Sequence, residues 1–246
     1  MSDTDTPDPL PAYRQLADTI VEQILAGDIL PGNQLPSETV LAETFGVHRS
    51  TVREGIRLLE ETGMLRRKSQ KRLVVSVPDG SHLAGRTAQA LVMQQVTVRD
   101  LYQANVAFDP VLARLAAVNA SGTQIARLHR NLRESRQAAG DLELLAVLDA
   151  EFHLLVCEAT NNAIFQTMRQ PLHDLFLPMV TDLMRQFDTS ARMITAHERI
   201  VAAIEVRDEA EAAAWARRHI EDFKRGYLKA AIDFDKPVKW TRVKPL

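Results

Sequence analysis

Four side chains of metal-ligating type are spaced so that a helical fold could bring them to one point. Asp149 and His153 stand four residues apart, and His197 and His219 follow in two later helical stretches. At i and i+4 a carboxylate and an imidazole leave the same face of one helix, close enough to share an ion. His197 falls on a stripe with Ile194, Val201 and Ile204, and His219 on one with Trp215 and Phe223, so both rings should point inward. Taken singly, each histidine reads as a hydrogen-bonded core residue. Taken together, one carboxylate and three imidazoles form a set suited to Zn2+, Ni2+ or a similar divalent ion, with positions left for water or a ligand. His48 precedes a helix, and His82, His129 and His173 read as surface residues.

A second group of residues could hold nucleic acid. Between His48 and Arg72 stand eight arginines and lysines against three glutamates, although the whole chain carries a formal charge of only -2. Arg49, Ser50, Arg53 and Arg57 share one flank of a helix, about a quarter turn from its apolar stripe of Val52, Ile56 and Leu59. Such a helix can pack and still present guanidinium groups. Its first turn would offer Arg49, Ser50 and Thr51 to base edges and phosphates in the major groove, while the basic stretch containing Lys71 would lie on the backbone or in the minor groove. The plainer reading is a solvated basic face.

These residues need elements to position them, and the sequence supplies them. The chain has 246 residues and 46% hydrophobic content, enough for a substantial core. Cys157 is the only cysteine, which rules out an internal disulfide and a zinc site built on several thiolates. No run of 18 apolar residues occurs, and the start, MSDTDTPDPLPAY, is acidic and proline-rich, so the reading is a cytoplasmic protein with no membrane partner.

Residues 1–11 read as a disordered leader. Three short helices follow, ending at Gly27, Gly46 and Gly63, and then a hairpin within MLRRKSQKRLVVSV. From Ser81 to Asp233 the pattern is helical, with breaks near Thr97, Ser121, Gly140, Asn161, Asp188 and Asp208. The predicted fold is mainly α: an N-terminal winged helix-turn-helix at 12–77, a linker and first helix at 78–96, an all-α bundle at 97–233 and a tail at 234–246. About six to seven helices make up the bundle.

LPSETVLAETFGVHRSTVREGIRLLEETGML is similar to the DNA-binding signature of the GntR family of bacterial transcription regulators. The resemblance implies that Arg49 and Arg53 contact an operator, with Ser50 and Thr51 on phosphates or bases. It departs at Thr39, where an arginine is usual, and near Gln70, where the wing tip usually has glycine. Further on, DAEFH, ATNNAIF, AHERIVAAIE and ARRHIEDF resemble, in order, the FCD effector domain of the FadR subgroup over most of residues 97–228. That resemblance implies that Asp149, His153, His197 and His219 coordinate a divalent metal. It also makes Asn105 an effector-binding position, where an arginine often holds an anion, and puts Asp109 where glutamate is common.

The function so implied is a ligand-responsive regulator, a repressor in most relatives, whose effector is a small carboxylate or sugar acid. A homodimer would let two recognition helices read an inverted-repeat, double-stranded operator. Two rivals remain. A metal-dependent hydrolase would use the same four ligands, but His197-Glu198 is followed by Val201 where a zincin has its second histidine, and Glu151 and Glu198 neighbour presumed ligands on faces turned away. A non-regulatory DNA-binding protein would leave the histidines unexplained.

Overall fold

The computed structural model describes residues 10–69, 72–78, 80–186 and 190–239. Lys71, Gln70, most of the leader and the break at Asp188 lie outside them, as does the side chain of His82. The chain divides into two compact units, Met1–Leu83 and Ala84–Leu246.

In the first unit, α1 (Ala12–Ala26), α2 (Glu38–Phe45) and α3 (Arg49–Glu61) precede an antiparallel hairpin of β1 (Leu65–Ser69) and β2 (Arg72–Val75). Helix α1 stops where Gly27 turns left-handed, and its N–H returns to the carbonyls of Gln23 and Ile24. Ser37 opens α2 by accepting the Val40 N–H, and Gly46 closes it, again left-handed. Helix α3 buries Val52, Ile56 and Leu59 against Leu16 and Ile20 of α1. The two helices meet at Gly55, where a Cβ would stand 2.8 Å from both the Tyr13 carbonyl oxygen and Leu16 Cδ2. Only glycine permits that approach. Leu65 lies opposite Val75 in the hairpin, and both join the same core.

The named elements of the second unit are helices. Helix α4 (Gly80–Met93) leads into α5 (Val98–Asn119), α6 (Gly122–Gln137), α7 (Leu142–Glu158), α8 (Ala163–Gln186), α9 (Ser190–Glu205) and α10 (Glu209–Lys229). Thr97 and Ser121 start α5 and α6 with full capping boxes, and Asp141 and Asp208 accept backbone N–H groups at the starts of α7 and α10. Helix α10 packs on α5 and α9, and α7 on α8. No helix among the described residues is long and apolar enough to cross a membrane.

Residues 234–239, whose composition suggests a tail, are packed instead. Phe234 and Val238 are buried, the Val238 N–H donates to the Val96 carbonyl, and the Phe234 ring meets Tyr102 edge-on at 5.5 Å. One aromatic and one aliphatic side chain in a polar stretch suffice to dock it on the start of α5.

Candidate functional site

Helix α7 carries Asp149 and His153, α9 carries His197 and α10 carries His219. One ligand atom from each lies within 4.8 Å of every other. The three Nε2 atoms converge: His219 is 3.2 Å from His153 and 3.3 Å from His197. Asp149 Oδ1 stands 3.4 Å from His197 Nε2 and 3.7 Å from His219 Nε2. Donors about 2.1 Å from a shared ion stand roughly 3.0–3.5 Å apart, so the residues fit a divalent cation.

Neighbouring groups hold these rings in place. His153 Nδ1 sits 3.0 Å from Asp109 Oδ2, a carboxylate that favours the proton on Nδ1 and so a bare Nε2 toward the cluster. The His197 ring lies flat on Phe152, centroids 3.7 Å apart. His219 is the least buried of the three.

Behind the cluster lies a residue that the sequence reading missed. Arg169 of α8 is fully buried, 3.8 Å from Asp109 and donating to Asn105 Oδ1 at 2.9 Å. Asn105 in turn donates to the Leu101 carbonyl of its own helix. A signal existed: Arg169 falls on one helical stripe with Phe165 and Phe176, an apolar face that a lone arginine enters only with a partner. His173, read as a surface residue, is also corrected. It is half-buried, with Nδ1 3.2 Å from the Ala150 carbonyl, because α8 packs this face on α7.

Burial sets the charges of the site. It pushes the Asp149 carboxyl up to about 6 despite the pull of His153 and Arg169. It pushes His219 down to about 3, His173 down to about 4 and His197 well below the ordinary imidazole range. Burial also works to raise Asp109, but Arg169 and then His153 outweigh it and hold that carboxyl below the ordinary range.

The His197 and His219 imidazoles are therefore kept neutral, which is their ligating form. A sign follows for the metal-free protein. Between pH 7.5 and 5.5 the unfolded chain gains protons on His173, His197 and His219 that the folded chain refuses, while the folded chain gains one on Asp149. Three losses against one gain should lower stability by about 3 kcal/mol, read as a falling melting temperature.

In the first unit, α3 presents Arg49, Arg53 and Arg57 with side chains 58%, 63% and 80% exposed. Ser50 is exposed and Thr51 half-buried. Glu38, which sequence reasoning passed over, gathers the guanidinium groups: it accepts from Arg53 Nε at 2.8 Å and stands 3.9 Å from both Arg49 and Arg67. Its place in the first turn of α2 beside α3 explains this, and exposed pairs of this kind orient more than they stabilise. Glu151 and Glu198 are engaged elsewhere, with Asn131 and Arg136.

The description "Bacterial regulatory proteins, gntR family" matches residues 12–75, and the FCD domain matches residues 100–222. The chain belongs to the GntR family. It is similar to the HTH-type transcriptional regulator LutR of Bacillus subtilis (strain 168), 26% identical over 214 residues that cover 84% of this chain and 98% of LutR. It is similar as well to the HTH-type transcriptional repressor NanR of Citrobacter rodentium (strain ICC168), 30% identical over 183 residues, 72% of this chain and 70% of that one. Among solved structures, Streptococcus agalactiae GntR shares the fold with a TM-score of 0.63 at 24% identity, covering 87% of this chain and 99% of its own. This GntR-family chain is a transcription regulator with a DNA-binding domain and an FCD domain for a small-molecule effector, not an enzyme.

Proposed function

We propose that this regulator is a cytoplasmic repressor that binds an inverted-repeat operator as a homodimer and responds to a small carboxylate or sugar acid at a metal-assisted site. The observation that carries the reading is the convergence of Asp149 Oδ1 with three Nε2 atoms at one buried point of the FCD domain. Zn2+ or Ni2+ held there by Asp149, His153, His197 and His219 would offer open coordination positions to effector oxygens. Residues 12–77 would read DNA through Arg49, Ser50, Thr51, Arg53, Arg57 and Lys71, with 78–96 as the connector to the effector domain at 97–233. Asn105 acts on the effector site through Arg169 and Asp109 rather than as its anion anchor. An effector changes DNA affinity only by as much as it prefers one arrangement of the dimer.

Elemental analysis of untagged protein tests the metal: roughly one Zn or Ni per chain, lost in a His197→Ala, His219→Ala double variant. Binding to duplexes selected from a random pool tests the other half. Arg49→Ala and Arg53→Ala should each weaken it about tenfold or more and flatten its salt dependence. Unchanged affinity in both variants would remove α3 from the role of reading helix.

A further inference from the structure

A small cleft of about 50 Å³ adjoins the cluster, sharing Asp149 and His219 with it. A space of that size admits only a compact ligand body. Phe176, Val180, Leu183 and Met184 of α8 form one wall, and Met193 of α9 and Phe223 of α10 face them. Among the described residues, none lining it carries a hydroxyl or an amide side chain. Besides the cluster pair, the polar lining residues among those described are Arg192, which is exposed to water, and Asp222, which is paired with Arg225.

We infer that the effector is a monocarboxylate with a compact aromatic body, its carboxylate at the Asp149–His219 end and its ring between Phe176, Met184, Met193 and Phe223. The inference deepens the proposed metal-assisted site and rests on it. A sugar acid would bring several hydroxyls against these walls, and those beyond reach of Arg192 and Asp222 would surrender hydrogen bonds to water without replacement, which costs affinity. An aromatic ring loses nothing there. Phe176 and Phe223 already meet at 4.7 Å with tilted planes, an arrangement that a third ring extends edge-to-face. The two methionines add polarizable sulfur and adjust to the shape of the ring.

The test is titration calorimetry on the full-length, Zn-loaded protein with 3-phenylpropanoate, gluconate and lactate, alongside a separate measurement of Zn uptake by the same preparation. Stoichiometric Zn uptake, with 3-phenylpropanoate bound about tenfold or more tighter than gluconate or lactate, is the expected result. Val180→Phe narrows the cleft with an apolar side chain and should weaken 3-phenylpropanoate about tenfold while Zn uptake is retained. Met193→Gln, close in shape, should do the same without crowding and serves if Val180→Phe fails to fold. Zn uptake with gluconate or lactate bound as tightly as 3-phenylpropanoate, or with none of the three bound, overturns the aromatic class and leaves the metal site standing. Absence of Zn uptake overturns the metal reading, and with it this proposal, even if 3-phenylpropanoate binds.

Discussion

Zn2+ added to the metal-free protein should raise the melting temperature of the helical unit by about 10 °C, and His197→Ala should abolish the rise. Metal that binds only the folded state at about a thousandfold excess over its dissociation constant stabilises by roughly 4 kcal/mol. In a unit of this size each kcal/mol moves the midpoint by about 2–4 °C. The site is ready for that binding because two of its imidazoles need not shed protons first: burial holds His219 at about 3 and His197 well below the ordinary range. Asp149, pushed up to about 6, must be free of its proton. The Zn-induced rise should therefore shrink as pH falls through 6 and return on going back to 7.5. Differential scanning calorimetry with and without chelator reads all of this. A rise that survives His197→Ala would put the metal somewhere other than this cluster.

The cluster was legible in the sequence because its information is local and periodic. Asp149 and His153 sit one helical turn apart, and His197 and His219 lie on apolar stripes, so each ligand's inward direction follows from its own helix. Helix starts were legible for the same reason: Thr97, Ser121 and Asp208 each satisfy backbone N–H groups a few residues away. What the sequence did not disclose depends on contacts distant along the chain. Arg169 meets Asn105 64 positions away, and Arg53 meets Glu38 15 positions away across a turn. No periodicity within one helix names such partners. The docking of Phe234 and Val238 is of this kind too, since their neighbours Tyr102 and Val96 lie on the far side of the whole bundle sequence. Asn105 departs from the family pattern at a position the sequence shows, but the arginine of α8 that donates to it lies beyond any local pattern.

That arginine gives the second large effect. Arg169→Met should destabilise the helical unit by about 3–5 kcal/mol, because it leaves the Asp109 carboxylate buried without its nearest permanent cation. Burial alone would raise the Asp109 carboxyl, and Arg169 is the foremost influence opposing that, followed by His153. Removing both charges should cost much less than removing one. The Arg169→Met, Asp109→Asn double variant is therefore expected to recover a large part of the loss, a coupling that urea denaturation of the four proteins in the cycle would measure. Asp109→Asn alone leaves the buried Arg169 without its carboxylate and should be destabilising as well. It also weakens the grip on His153 Nδ1, so Zn affinity of the folded protein should fall about 10–100-fold by chelator competition. Unchanged Zn affinity in Asp109→Asn would mean that packing, not the carboxylate, aims His153. Additive losses in the double variant would mean that Arg169 and Asp109 act independently despite their 3.8 Å separation.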